Sequence, residues 1–92
     1  QYDKAFQDAN KLISLSPKSA NGYARRGMIY QSCEQFAEGV ADWRKAISIG
    51  GGNAYYFYGL AACLIKLAEY DEAERILLQA IELGDDKYLF NS

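Results

Sequence analysis

The sequence contains no histidine, one proline and two cysteines. Histidine is the commonest general base in enzymes and a common metal ligand, so its absence removes many catalytic and metal-binding arrangements. No Ser or Cys is accompanied by a base in a catalytic pattern. The two cysteines are not spaced as C-x-x-C, so neither a zinc site nor a disulfide framework is indicated. We therefore predict a protein that is not an enzyme and that binds no cofactor.

Both cysteines, Cys33 and Cys63, fall in apolar sequence with a helical pattern. A free thiol in such a setting usually behaves as a small buried hydrophobic group, and we favour this interpretation over a redox function. Reduced thiols are typical of intracellular proteins, so cysteine usage favours an intracellular, cytoplasmic location.

Long apolar runs and clusters of Lys or Arg are also absent. No stretch approaches the ~18 apolar residues of a membrane span, and no signal-peptide pattern opens the chain, so we expect no membrane insertion. The net charge is −2, with seven basic and five acidic residues in 1–50 but three basic and seven acidic residues in 51–92. This balance does not favour nucleic-acid binding, although oppositely charged ends can orient a protein partner.

The sequence repeats itself with a period of about 34 residues, the spacing from Tyr2 to Phe36, and without insertions. The repetition runs along the chain and also pairs Asp8 with Asp42, Lys11 with Lys45, Ala20 with Ala54, Tyr23 with Phe57, Gly27 with Ala61, and Ala46 with Ala80. A fixed period of this length is the signature of a helical repeat protein, in which each unit packs on the next.

Each unit contains two helical patterns. Tyr23, Arg26, Gly27 and Tyr30 follow the i, i+3, i+4, i+7 spacing of one helix face. The full pattern predicts five helices, over 2–15, 20–33, 36–49, 54–67 and 70–83. The short linkers between them require antiparallel neighbours.

Polar residues and glycines mark the predicted ends of these helices. Ser19 and Asn53 stand where they can cap the helices that follow, and Gly50 and Gly84 stand where glycine commonly closes a helix. The triplet at 50–52 could resemble a phosphate-binding loop, but the required preceding strand and following Lys-Ser/Thr are missing. We predict a turn between repeats.

This pattern resembles the tetratricopeptide repeat, whose period is about 34 residues. The middle unit supplies Tyr23, Arg26-Gly27, Tyr30, Gly39, Trp43 and Gly51, and the last complete unit supplies Phe57, Leu60-Ala61, Leu64, Ala73, Leu77 and Asp85. The resemblance implies an all-α fold in which antiparallel helix pairs form a right-handed superhelix. Small residues such as Gly27 and Ala61 are then expected where helices cross closely.

The resemblance also implies a domain organisation. We expect a single domain over 1–92, with the second half of a repeat at 1–19, complete repeats at 20–53 and 54–87, and the start of a truncated repeat at 88–92. The chain begins with Gln1, and about three repeats are usually needed for stability. We therefore expect it to be part of a longer repeat protein.

The middle unit departs from the pattern at one helix crossing. Arg26 and Asp42 occupy the positions of Leu60 and Ile76 in the last unit, and Asp8 lies one unit before Asp42. We hypothesise that Arg26 pairs with Asp42, Asp8 or both, because an unpaired charge between helices would be costly. The alternative is that Arg26 extends into solvent with its stem on the surface.

In the family that this chain resembles, the first helix of each unit lines a concave face. The candidate protein-binding residues on this face are Asn21, Arg25, Met28, Tyr55, Tyr58, Ala62, Ile65 and Lys66, with Ala24, Gln31 and Ser32 beside them. Tyrosine and methionine suit recognition because they offer broad, adaptable contacts. Tyr56 and Phe57 are expected to point toward packing instead. Alternatively, the exposed tyrosines pack against a following helix that this chain lacks.

Some members of that family grip a carboxylate tail with Lys, Asn and Arg. Here Arg25, Tyr55 and Gly59 stand in the corresponding positions, so this type of recognition is not expected. The predicted function is a protein-interaction module that binds a peptide or helix in the concave groove. The alternative is a structural scaffold that self-associates through exposed repeat ends, where the first helix lacks its usual cover and Tyr88, Leu89 and Phe90 begin another helix.

Overall fold

Within the residues that the computed structural model describes, 2–51 and 53–85, the chain forms five α-helices and a terminal π-helical turn, with no strand. The helices are α1 Asp3–Leu15, α2 Ala20–Ser32, α3 Phe36–Gly50, α4 Ala54–Lys66 and α5 Tyr70–Ala80, and the π-helical turn is Ile81–Asp85. The all-α prediction is confirmed. The predicted stub at 88–92 lies outside the described residues.

The predicted bounds of the first four helices agree with the structure to within one residue at each end. The fifth predicted helix runs to residue 83, but α5 ends at Ala80, where the backbone widens into the π-helical turn. The two helices of each pair pack together, α2 on α3 and α4 on α5, and neighbouring pairs join through the α1–α2 and α3–α4 contacts. Helices α2 and α4 also touch, which places them side by side in one layer.

The starts of α2 and α4 are capped as the sequence predicts. Ser19 Oγ accepts a hydrogen bond from the backbone N–H of Asn21 at 3.3 Å. Asn53 Oδ1 accepts one from the backbone N–H of Tyr55 at 2.9 Å. Each bond satisfies an amide that has no partner within its own helix, and this fixes where the two groove-lining helices begin.

The ends of α2 and α4 share a left-handed backbone turn that the sequence did not predict. Glu34 has φ +64° and Ala68 has φ +63°. The next amides, of Gln35 and Glu69, each donate a 2.8 Å hydrogen bond back to the carbonyls of Tyr30 and Leu64. This is the bonding pattern of a Schellman helix end, which normally contains glycine or asparagine.

We expect Ala68→Gly to raise the free energy of unfolding by about 0.5–1 kcal/mol, because alanine pays a steric penalty at positive φ that glycine avoids. Urea unfolding followed by circular dichroism measures the change. The control is Ala41→Gly on the exposed face of α3, where glycine should instead cost about 0.5–1 kcal/mol. Equal losses in both variants would contradict the assigned role of Ala68.

The predicted closures by Gly50 and Gly84 are wrong in detail. Gly50 is the last residue of α3. Gly51 follows it with φ +72°, a backbone conformation that residues other than glycine rarely adopt. Gly84 lies inside the π-helical turn. The glycine segment thus ends α3 one residue later than predicted.

The core is built around Trp43, which is 1% exposed and lies between α2 and α4. A Cβ placed on Gly27 would lie 3.2 Å from the Trp43 ring, and one placed on Gly59 would lie 2.4 Å from it. The small residue predicted at Gly27 is therefore required for close packing. Gly59, which the sequence suggested only as a mismatched binding position, is required even more strongly.

The two cysteines differ in environment. Cys63 is fully buried in the core, as predicted, and burial raises the pKa of its thiol above the ordinary value. The prediction for Cys33 is wrong, because it is only half-buried at the C-terminal end of α2. There its Sγ donates a 3.5 Å hydrogen bond to the carbonyl of Tyr30.

Candidate protein-binding groove

An ion pair joins the two helices of the middle unit. Arg26 Nε and Nη2 donate to the two carboxylate oxygens of Asp42 at 2.8 and 2.9 Å. Arg26 Nη1 donates to Asn10 Oδ1 on α1 at 2.9 Å. These contacts confirm the predicted pair with Asp42, while the third bond goes to Asn10 rather than to Asp8. The hydrogen bonds to Asp42 raise the pKa of Arg26, so the guanidinium stays charged.

Two hollows lie along the layer that contains α2 and α4. The α1–α2 hollow has a volume of about 860 Å³, and the α2–α4 hollow about 630 Å³. Met28 and Tyr55 line both, and the Tyr55 hydroxyl donates a hydrogen bond to Met28 Sδ at 2.8 Å. These two side chains form a ridge between the hollows, which we call the Met28–Tyr55 ridge.

The groove formed by the two hollows contains most of the predicted site residues. Asn21, Arg25, Met28 and Tyr55 line the α1–α2 hollow, and Met28, Tyr55, Tyr58, Ala62 and Lys66 line the α2–α4 hollow. Ile65 is 43% exposed but lines neither hollow. Ala24, predicted to be a groove contact, is 5% exposed and belongs to the core, so it forms part of the floor of the α1–α2 hollow.

The buried Trp43 ring supports the exposed side chain of Tyr55. The Tyr55 ring meets Trp43 edge-on, with 5.7 Å between centroids and an angle of 84°. Tyr55 is still 52% exposed, and Tyr58 is 42% exposed. Tyr56 packs against the core, as predicted, and also lines the α1–α2 hollow. A partner would thus meet an aromatic surface that is already ordered.

One wall of the groove was not predicted from the sequence. The side of the α1–α2 hollow opposite α2 is formed by α1 and the residue that precedes it, through Tyr2, Ala5, Asp8, Ala9, Lys11 and Leu12. The signal was present in the sequence repetition, because α1 occupies the position of α3 one unit earlier. Any helix-binding surface on α3 should therefore have a counterpart on α1.

Two kinds of feature are absent from residues 2–51 and 53–85. No helix between residues 2 and 85 is long and apolar enough to cross a membrane. In the part of the chain that the structure describes, no group of three His, Cys, Asp or Glu side chains could hold a metal ion.

The sequence profile of the tetratricopeptide repeat matches residues 20–49 and 54–84, more than half of the chain. The chain belongs to the tetratricopeptide repeat family. Both matched segments begin at the first residue of a groove helix, α2 or α4, and so coincide with the two complete helix pairs. Tetratricopeptide repeats generally mediate protein–protein interaction.

One curated protein and one solved structure are similar to this chain. The chain is 30% identical over 80 residues to tetratricopeptide repeat protein 21A of Mus musculus. The matched region is 87% of this chain but 6% of the mouse protein. The solved structure of MamA, residue 41 to the end, from Desulfovibrio magneticus RS-1 superposes with a TM-score of 0.86 at 21% identity, covering 94% of this chain and 49% of MamA. At 21% identity, this second similarity shows a shared fold.

Proposed function

We propose that this tetratricopeptide chain is a protein-interaction module that holds a peptide or helix of a partner protein in the groove formed by the two hollows. The observation that carries the proposal is the Met28–Tyr55 ridge. Both side chains are about half exposed, at 45% and 52%, yet both are held by neighbours inside the protein. Large, ordered, exposed apolar groups of this kind favour a binding surface.

The charge of the groove supports a protein ligand. Three basic residues line the hollows, Lys11, Arg25 and Lys66, against two acidic ones, Asp8 and Glu34. The chain as a whole has a net charge of −2, so the groove is more positive than its surroundings. An extended or helical segment with apolar anchors and a few charged groups would find partners for both kinds of side chain.

The free thiols extend the proposal to location. Cys33 and Cys63 are unpaired, which fits a reducing compartment. We accordingly place the interaction inside the cell.

The groove is tested by selecting binders from a phage-displayed library of random peptides and measuring their affinity by isothermal titration calorimetry. We expect Tyr55→Ala/Tyr58→Ala to weaken the selected peptides by at least about tenfold, or about 1.4 kcal/mol, since tyrosine anchors commonly contribute that much. Circular dichroism verifies that the variant is folded.

The matched control is Tyr70→Ala, which removes a tyrosine that is 63% exposed on α5, outside both hollows. Its affinity should remain at the wild-type value. Undiminished binding by Tyr55→Ala/Tyr58→Ala, or an equal loss with Tyr70→Ala, would refute the groove as the binding site.

A scaffold that self-associates is a second candidate, favoured by one observation. Leu78, Ile81 and Leu83 are 57%, 42% and 46% exposed along α5 and the π-helical turn. Such an apolar edge can pack against another helix. Sedimentation velocity separates the two candidates, because this packing would produce a concentration-dependent assembly that Leu78→Lys disrupts, whereas a groove that binds partner peptides needs no assembly.

A further inference from the structure

We propose that Met28 is a site of reversible oxidation, and that its conversion to methionine sulfoxide by a peroxide weakens the binding of a partner in the groove. The inference rests on the proposed function and adds a means of regulating the same site. It starts from the position of one sulfur atom, which lies on the ridge between the two hollows.

Met28 is the one methionine of the chain, and it is open to a small oxidant. Methionine often fills gaps in a core, but this side chain is 45% exposed on α2. The thioether sulfur has two lone pairs, and the hydrogen bond from the Tyr55 hydroxyl engages one of them. The other lone pair is left to react with a peroxide oxygen.

The reaction is a two-electron transfer of oxygen to the sulfur. A lone pair of Met28 Sδ attacks one oxygen of hydrogen peroxide, an S–O bond forms, and the O–O bond breaks. The departing hydroxide takes the proton from the oxygen now on sulfur and leaves as water. The sulfur is oxidised and the peroxide is reduced. Methionine sulfoxide reductases reverse the change.

The other readily oxidised side chains are shielded or can be told apart from Met28. Trp43 is buried. Burial raises the pKa of the Cys63 thiol, which keeps it in the protonated, less reactive form. Cys33 is half-buried, and its thiol donates to the carbonyl of Tyr30. A dithiol reductant reverses the first oxidation products of cysteine but leaves methionine sulfoxide in place.

The Tyr55 hydroxyl is placed to hold the oxidised product. It donates a 2.8 Å hydrogen bond to Met28 Sδ, and a thioether sulfur is a weak acceptor. A sulfoxide oxygen on the same sulfur is a much stronger acceptor within reach of the same hydroxyl. The hydrogen bond therefore moves from sulfur to oxygen, and the hydroxyl is withdrawn from any partner.

One added oxygen changes both hollows, because Met28 and Tyr55 line both. It converts an apolar side chain at the centre of the groove into a polar one. An apolar anchor of a partner would then cover the S=O group, and removing that group from water costs free energy. Met28 lies outside the buried core, so oxidation should lower the affinity of the groove without unfolding the chain.

The test treats the full chain with hydrogen peroxide, removes the peroxide and adds dithiothreitol to reverse cysteine oxidation. Tandem mass spectrometry locates the added oxygen, and isothermal titration calorimetry measures the affinity for the display-selected peptides. We expect Met28 to carry the oxygen and the affinity to fall at least about fivefold. Methionine sulfoxide reductase should restore the starting affinity, and circular dichroism should show an unchanged fold.

The matched control moves the methionine out of the groove. Met28→Leu/Ile65→Met places it where the native side chain is 43% exposed but lines neither hollow. Peroxide should oxidise this methionine and still leave the peptide affinity of the variant unchanged. Loss of affinity to the same extent as in the wild type would contradict the role of Met28.

Infrared spectroscopy tests the hydrogen bond from Tyr55 to the sulfoxide. The S=O stretch of the oxidised wild type should lie at lower frequency than that of oxidised Tyr55→Phe, because a hydrogen bond weakens the S=O bond. Bands at equal frequency would contradict the role assigned to Tyr55.

Two further results would overturn the inference: a Met28 that resists peroxide while the methionine of the control is oxidised, or an oxidised Met28 with unchanged peptide affinity. If the selected peptides still require Tyr55 and Tyr58 in the reduced chain, only this inference fails and the proposed function stands.

Discussion

Replacing Trp43 with alanine is expected to lower the free energy of unfolding by about 3–5 kcal/mol, the largest effect of any single substitution considered. Trp43 is 1% exposed, and its ring fills the space that Gly27 and Gly59 leave open on α2 and α4. No neighbouring side chain can refill a cavity of that size without moving a helix. The ring also supports Tyr55, so affinity for groove peptides should fall with stability.

Urea unfolding monitored by circular dichroism measures this loss. Small domains have about 5–15 kcal/mol in total, so Trp43→Ala can lie close to the folding limit. Trp43→Phe keeps an aromatic ring at the same place and should be folded, with a loss smaller than that of alanine. A loss below about 1 kcal/mol for Trp43→Ala would show that α2, α3 and α4 do not meet around this side chain.

The second large effect is expected at the ion pair between α2 and α3. Asp42→Ala should cost about 2–4 kcal/mol, because it leaves the Arg26 guanidinium partly buried without its carboxylate. The upper end for fully buried pairs is not expected, since the Arg26 side chain is 27% exposed and water can partly replace the lost partner.

The chain itself contains the control for this prediction. Leu60 and Ile76 stand at the two corresponding positions in the last unit. Arg26→Leu/Asp42→Ile transplants that apolar pair, and its stability should return to near the wild-type value, as replaced buried ion pairs often do. Arg26→Leu, Asp42→Ile and the double variant form a double-mutant cycle with the wild type, measured by urea unfolding. Simple addition of the two single losses would contradict direct coupling between the two residues.

The helices and the ion pair could be predicted because each depends on positions that the repetition makes visible. The fixed period aligned Arg26 with Leu60 and Asp42 with Ile76. Two residues that change character together at one crossing are expected to touch, and they do. The caps by Ser19 and Asn53 followed for a similar reason, because a side-chain cap acts within a few residues of its own position.

The features that were missed depend on geometry between distant elements. The left-handed residues Glu34 and Ala68 carry no local signal, because glutamate and alanine are ordinary helix formers. The α1 wall was missed because it depends on how α1 packs beside α2, which helical spacing within one helix does not reveal. Ile65 was placed in the groove on helical spacing alone. Its counterpart Gln31 lines the α2–α4 hollow because α4 stands opposite it, and no described helix stands opposite Ile65.

The two left-handed helix ends also determine the shape of any solenoid built from this unit. Glu34 and Ala68 occupy the same position in successive units, with φ of +64° and +63°, so the chain reverses direction by nearly the same rotation after α2 and after α4. When each repeat turns by the same angle, the angles accumulate into a constant pitch and curvature. A substitution that forced either residue out of this conformation would change the radius of the concave surface, and with it the separation of contact sites on a long partner.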